Sequence, residues 1–258
     1  MTTSPAWWAR LRREGRELGR ATLDVIAPPH CPSCGVVSAG LCLACATLTE
    51  ERPPPVCERC GEPLLSESSP CPQDHRIWQG LAAVRAPFGY RGTGGRLVRR
   101  VKFERDTAAL LLLARRMAAA VAPWLSGDRR RAVFASVPLS GAKRRRRGFD
   151  QAAQLAEAVV AQLEAPLVSG ALKRTRDTLP QGDPRVTSRS RNVAGAFAVR
   201  RPRAVRGRTV VLVDDVTTSG HTARACAAVL RAAGAREVAL LAACRARGDP
   251  AAVALADD

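Results

Sequence analysis

The residues best suited to chemistry lie late in the chain, where Thr209-Val210-Val211-Leu212-Val213 runs directly into Asp214-Asp215-Val216-Thr217-Thr218-Ser219-Gly220-His221-Thr222. An apolar, β-branched run of this length reads as a buried strand. A hydroxyl-rich turn leading into a helix gathers backbone N–H groups and the positive end of the helix dipole around one point, where a phosphate can sit. Thr217, Thr218, Ser219 and Thr222 add hydroxyl donors, and Gly220 lets the backbone come close to the anion. Asp214 and Asp215 would repel that anion unless they bind something beside it, such as sugar hydroxyls or magnesium. A ribose 5-phosphate satisfies both halves: the carboxylates take the 2′ and 3′ hydroxyls, and the turn takes the phosphate.

A second set of chemical residues is cysteine. Seven of nine cysteines fall between positions 31 and 71, as the knuckles Cys31-Pro-Ser-Cys34, Cys42-Leu-Ala-Cys45 and Cys57-Glu-Arg-Cys60, followed by Cys71-Pro-Gln-Asp-His75. Each C-x-x-C turn offers two thiolates to one tetrahedral zinc. Eight ligands suffice for two structural zinc ions: Cys31, Cys34, Cys42 and Cys45 for one, Cys57, Cys60, Cys71 and His75 for the other. Spacing equally permits an interleaved pairing, with the first knuckle sharing its ion with the third. A closed thiolate site leaves no position for substrate, so the metal replaces a core that so short a segment cannot build. Cys226 and Cys244, in apolar surroundings, read as packing thiols, His30 as a turn residue and His221 as pointing to solvent.

Around these groups the pattern is strand, loop, helix. Ala132–Val137 reads as a strand ending at Pro138, then comes a loop through Ser140-Gly141 and the basic run Lys143–Arg147. Asp150 caps a helix whose Ala152, Leu155, Ala156, Val159, Val160 and Leu163 form one apolar face. A helix from about Ala223 to Ala233 follows the acidic turn, and Glu237–Cys244 resumes a strand. Such alternation predicts a parallel α/β sheet flanked by helices, with ligands at the carboxyl ends of its strands.

Composition narrows the partners. The 258 residues carry 41 basic and 23 acidic side chains, net +18, and 38 of the basic ones are arginine. Between Tyr90 and Asp150, 16 basic and 4 acidic residues account for +12 of that excess, which favours anionic partners. The most apolar stretch, Ala108–Leu125, is interrupted by Arg115, Arg116 and Pro123, and the arginine-bearing N-terminus has no signal-peptide core. A cytoplasmic protein without membrane insertion is expected. Aromatic residues make up 4% of the chain, few for base stacking.

Val210–Thr222 resembles the phosphoribosyl pyrophosphate signature of type I phosphoribosyltransferases. The chain from about Cys31 to Cys244 resembles the ComF family, in which a double zinc ribbon precedes such a domain. Further matching features are Lys102-Phe103, Val137-Pro138-Leu139, Arg147-Gly148-Phe149-Asp150-Gln151, Thr178 with Gln181, Arg191-Asn192-Val193 and Gly195-Ala196-Phe197. Two departures stand out: Asp150 replaces a usual Asn, and Cys71 with His75 replaces a fourth C-x-x-C.

The expected division is an N-terminal helical segment over 1–28, a double zinc ribbon over 29–80, a phosphoribosyltransferase-like domain over 81–248 and a tail over 249–258. The resemblance implies binding of phosphoribosyl pyrophosphate with magnesium. Asp214 and Asp215 would be the catalytic pair. Val216, Thr217, Thr218, Ser219, Gly220, His221 and Thr222 would hold the 5′ phosphate, Leu139, Ser140 and Gly141 would form the pyrophosphate loop with Arg147 near the leaving group, and Lys102 would be a further residue binding the ligand. Breaking the C1–pyrophosphate bond passes through an oxocarbenium-like state, so cations at the leaving group would carry catalysis, with the acceptor unspecified. It further implies a link to DNA uptake in natural transformation, with single-stranded DNA and other competence proteins as partners. The alternative is a non-catalytic DNA-binding protein or nucleotide-sensing adaptor on the same fold.

Overall fold

The structure, a computed structural model, describes residues 28–52, 54–176 and 195–246. The expected N-terminal helix, apart from Pro28, lies outside these residues, as do the tail, Thr178, Gln181 and Arg191–Val193. The chain divides into two compact units, 1–47 and 48–258.

In the first unit the chain turns tightly at the first knuckle, where Cys31 N–H donates to Val36 O at 2.7 Å and Gly35 N–H to Cys31 O at 2.8 Å. His30 pairs with Val37 in an antiparallel bridge, as a turn residue would. The second knuckle leads into a short helix α1, Leu43–Thr47, which carries Cys45.

The second unit is built on a largely parallel sheet. Its strands are β1 (Thr49–Glu51), β2 (Val84–Arg85), β3 (Phe88–Arg91), β4 (Val133–Ser136), β7 (Thr209–Thr217) and β8 (Glu237–Arg245), and β5 (Leu172–Arg174) and β6 (Phe197–Val199) form a separate antiparallel ribbon. The main order is β1-β3-β8-β7-β4, with β2 also on β8. Every pairing in it is parallel except β1 on β3. Proline offers no N–H to a ladder, and Pro87 stands where β2 gives way to β3. The expected parallel α/β class is thus the observed one.

Among the described residues the unit's α-helices are α2 (Gly92–Arg99), α3 (Thr107–Val121), α4 (Gly141–Arg147), α5 (Gln151–Leu163), α6 (Pro202–Val205) and α7 (His221–Ala232). Asp106 and Asp150 cap α3 and α5, accepting from Ala109 N–H at 2.9 Å and Ala153 N–H at 3.1 Å. One face of the sheet, with Phe134, Val211 and Val213, buries Leu113 and Met117 of α3 and Leu155 and Val159 of α5. The other face, with Val133, Val210 and Leu212, buries Cys226 and Leu230 of α7 together with Trp78, Leu81, Cys57 and Cys60. The third knuckle is therefore part of this unit's core. Thr107–Leu125 is long and apolar enough to cross a membrane by length and composition. Its residues Ala109, Leu113, Ala114, Met117, Ala118 and Val121 are buried in the fold, the placement of a core helix.

Three local expectations change. The basic run is helical, as α4, because nothing in Gly141–Arg147 breaks a helix before Gly148, and Arg144, Arg145 and Arg146 are exposed along it. β7 runs on to Thr217, which places both aspartates inside the strand, and α7 begins at His221 instead of Ala223.

Candidate phosphate-binding turn and metal-ligand clusters

The carboxyl end of β7 sits between β4 and β8, where a parallel sheet presents its ligand site. Successive strand residues point to opposite faces, so Asp215 shares the face of Val211 and Val213, and Asp214 that of Val210 and Leu212. The surroundings agree: burial above all, with the charge of Asp214 adding to it, pushes the Cys226 thiol up, and burial with the charge of Asp215 does the same to Cys244. Both thiols are fully buried, as packing cysteines should be.

The two carboxylates have different fates. Asp215 is 8% exposed; its Oδ2 lies 3.1 Å from Lys102 Nζ and accepts from Gln151 Nε2 at 3.0 Å, while its Oδ1 accepts from Val216 N–H at 2.7 Å. Burial works against its ionisation, but the Lys102 ammonium and the Gln151 amide outweigh it and hold the carboxyl below its ordinary range. Asp214 is half-buried and accepts from Asp215 N–H at 2.9 Å. Burial and the adjacent Asp215 charge push it well above the ordinary range. The expected matched pair is thus one locked carboxylate and one poised carboxyl. Lys102 is delivered inward by a π-helical turn, Arg100–Glu104, which closes on Arg105 in the left-handed region.

Past Thr217 the turn is short. Gly220 is the N-cap of α7 at φ +70° and, having no side chain, places no capping oxygen of its own over the helix start. The Ser219 hydroxyl and His221 Nδ1 lie 2.6 Å apart. His221 therefore does not simply point to solvent; it also lines a cleft of about 620 Å³ with Phe197, Arg224 and Arg231. Gly220 has a further reason to be glycine. A Cβ there would fall 2.6 Å from Trp78 Cζ3 and 2.8 Å from Cε3, and Trp78 is fully buried. Nothing in the linear pattern marks Trp78 as a neighbour of this turn.

The turn after β4 lies at the same end of the sheet. Ser140 is buried, Leu139 half-buried and Gly141 exposed, and Asp150 Oδ2 lies 3.5 Å from both Leu139 N and Arg144 Nη2. Arg147 belongs to α4, but its side chain lies outside the described residues.

The metal ligands group sequentially. Cys31, Cys34, Cys42 and Cys45 bring their ligand atoms within 4.8 Å of one another, and so do Cys57, Cys60, Cys71 and His75; the interleaved alternative is not what forms. Thiolates about 2.3 Å from a tetrahedral zinc stand roughly 3.8 Å apart. Cys34 and Cys42 sulfurs are 3.6 Å apart, Cys60 and Cys71 sulfurs 3.5 Å, and Cys57 Sγ and His75 Nε2 3.4 Å. Both sets fit a zinc ion, with Nε2 as the imidazole donor. Arg245 ties the second set to the sheet: its Nη1 donates to Cys60 O at 3.2 Å and lies 3.3 Å from Glu62 Oε2, and its guanidinium stacks 4.8 Å over Trp78. Arg52 also pairs with Glu62. Arg85 Nη1 donates to Glu58 O at 2.8 Å. Sequence alone shows Arg52, Arg85 and Arg245 only as three among 38 arginines.

Comparison with known proteins matches residues 22–73 to the double zinc ribbon domain family and residues 150–254 to the phosphoribosyl transferase domain family. The DNA utilization protein YhgH of Salmonella typhimurium is 32% identical over 211 residues, 80% of this chain and 90% of that one. YhgH of Escherichia coli is 32% identical over 213 residues, with the same coverage. Competence protein F of Haemophilus influenzae is 27% identical over 213 residues, 79% of this chain and 89% of that one. A solved hypoxanthine phosphoribosyltransferase from Staphylococcus aureus superposes on 52% of this chain and 61% of its own length at 9% identity, with a TM-score of 0.34, too slight a likeness to carry weight.

Proposed function

This chain belongs to the ComF family, with a double zinc ribbon and a phosphoribosyl transferase domain, and on that premise we propose that it binds phosphoribosyl pyrophosphate with magnesium and transfers the phosphoribosyl group. The 5′ phosphate sits on Val216–Thr222, with the N–H groups at the start of α7 and the hydroxyls of Thr218 and Thr222 as donors. Asp214 meets the ribose hydroxyls. Asp215, kept ionised by Lys102, orients the strand end and contributes its field. Magnesium bound with the diphosphate would neutralise charge on the leaving group, and Asp214 would help to hold it. The C1–oxygen bond breaks with its electron pair leaving on pyrophosphate, and the acceptor's nucleophile bonds to C1 and gives up its proton. On this reading Leu139–Gly141 take the leaving pyrophosphate, with Arg147 as the candidate cation. Zinc at the two ligand sets is structural, and the protein works in the cytoplasm.

The observation that carries this reading is the left-handed Gly220 N-cap at the start of α7, a few residues beyond a half-buried, hard-to-ionise Asp214 at the carboxyl end of a parallel strand. Anion donors and a sugar-binding carboxyl stand side by side there. Titration calorimetry tests it: magnesium-dependent binding of phosphoribosyl pyrophosphate is expected, and affinity unchanged in Asp214→Ala plus Asp215→Ala rejects it.

One observation favours a second reading. Arg144, Arg145 and Arg146 are exposed on consecutive positions of α4, a form suited to the phosphates of single-stranded DNA. On that reading the protein handles incoming strands during natural transformation, alone or with other competence proteins, and the phosphoribosyl site senses nucleotide. Gel shifts across a salt series that ignore both salt and removal of these arginines exclude that mode of binding.

A further inference from the structure

The second ligand set is connected to the turn after β7 along two separate routes. In the first, His75 opens a 3-10 turn, His75–Trp78, that ends on Trp78. The indole of Trp78 then occupies the space a Cβ on Gly220 would need, and Ile77 O lies 3.3 Å from that position. In the second, Cys60 O accepts from Arg245. Arg245 lies opposite Thr217 in the β7–β8 ladder, and the next residue, Ala246, donates its N–H to Thr217 O at 2.9 Å. Arg245 also stacks on Trp78, which joins the routes. Trp78 and Arg245 are 0% and 4% exposed, so neither route has solvent to absorb a displacement.

Thr217 and Gly220 bracket Thr218 and Ser219, so both ends of the turn are held by residues that the second ligand set fixes. Cys57 and Cys60 are packed in the core, whereas Cys71 and His75 are only half-buried, so the ion is what ties His75 and its turn to the knuckle. Removing that ion frees His75 and Cys60 together, and with them the indole and guanidinium that press on the turn. We infer that Trp78 is a positioning residue for the phosphate-binding turn, and that zinc held by Cys57, Cys60, Cys71 and His75 sets how firmly the turn is held and how tightly it grips a 5′ phosphate. The affinity half of this inference rests on the phosphoribosyl reading; the rigidity half does not. Linkage makes the effect reciprocal, so an occupied turn must slow zinc loss from the second set. The first set, in the other unit, serves as the internal control.

The test uses the full chain and three measurements: zinc content, hydrogen exchange at the amides of residues 218–222, and calorimetry with phosphoribosyl pyrophosphate and magnesium. Trp78→Phe is the main variant. Trp78 Nε1 has no hydrogen-bond partner among the described residues, so the change costs no hydrogen bond and shortens only the ring that reaches Gly220. It should keep both ions, speed exchange at 218–222 at least tenfold and weaken binding at least tenfold. His75→Ala should lose one of two ions with the same two effects, His75→Cys should keep the ion and the wild-type values, and Cys34→Ser plus Cys42→Ser should lose the other ion with no change at the turn. Saturating phosphoribosyl pyrophosphate should slow capture of one of the two zinc ions by a chelator. Exchange within twofold of wild type in Trp78→Phe, or an equal rise when either ion is lost, overturns the inference even if the ligand binds. If the wild type binds no phosphoribosyl pyrophosphate, the ligand reading fails, and the exchange pattern still decides whether zinc holds the turn. Should His75→Ala fail to fold, Trp78→Phe, which keeps both ions, decides alone.

Discussion

Lys102 Nζ lies 3.1 Å from Asp215 Oδ2, with the two side chains 2% and 11% exposed. The lysine is thereby committed to a buried ion pair that fixes the protonation state of the carboxylate. Removing one partner of such a pair leaves an uncompensated charge, at a cost of about 3–5 kcal/mol. Lys102→Met should lose that much in urea unfolding, and Lys102→Met with Asp215→Asn should recover most of it. The same pair sets an acid limit. Because Asp215 titrates below its unfolded value, the stability it contributes is complete above pH about 4. It is lost as pH falls through the lower, folded value. Acid unfolding should be less steep in the double variant than in the wild type.

Asp214 carries the opposite sign. Its folded value is raised, so it favours the folded state below its unfolded value and that contribution is gone once pH rises through the folded one. Ionising this carboxyl in the fold is therefore costly, a liability held for function. Asp214→Asn should therefore raise the thermal midpoint, by on the order of 1 kcal/mol of stability, while weakening phosphoribosyl pyrophosphate. Wild-type affinity should decline on acidification sooner than an ordinary carboxyl would dictate, and the variant's should stay flat. Calorimetry at several pH values reads both.

Gly220 and Gly207 have nearly the same backbone angle, φ +70° and +69°, but a Cβ on Gly207 meets nothing within 4 Å. An L-residue in that region costs roughly 1–2 kcal/mol. Gly207→Ala should lose about that amount. Gly220→Ala should lose several-fold more, because the Trp78 ring must also move. Equal losses in denaturant unfolding would show that the indole does not press on the turn.

The exposed arginines of α4 give a prediction in salt dependence. Each cation removed from a phosphate should reduce the slope of log affinity against log salt by about 0.7 for a single strand. Replacing Arg144, Arg145 and Arg146 by alanine should flatten the slope by roughly 2 in fluorescence anisotropy with an oligonucleotide, without altering zinc content.

Local pattern alone determined much here. Four apolar β residues before Asp214-Asp215 make a strand wherever they are placed, C-x-x-C spacing selects a tetrahedral metal, and Asp150 before an i, i+3, i+4 apolar face caps a helix. Each of these depends on interactions within a few residues, so each is written in the order of the chain. Tertiary structure decided the rest. It gave Asp214 and Asp215 unlike environments, because the strand ran four residues beyond Val213 and turned them to opposite faces. It brought Lys102 from a turn more than a hundred residues away to neutralise one of them. It set Trp78 against Gly220 and Arg245 against Cys60, neighbours that no local pattern pairs. Burial and long-range charge pairing arise only once the sheet has closed, and linear order holds no record of them.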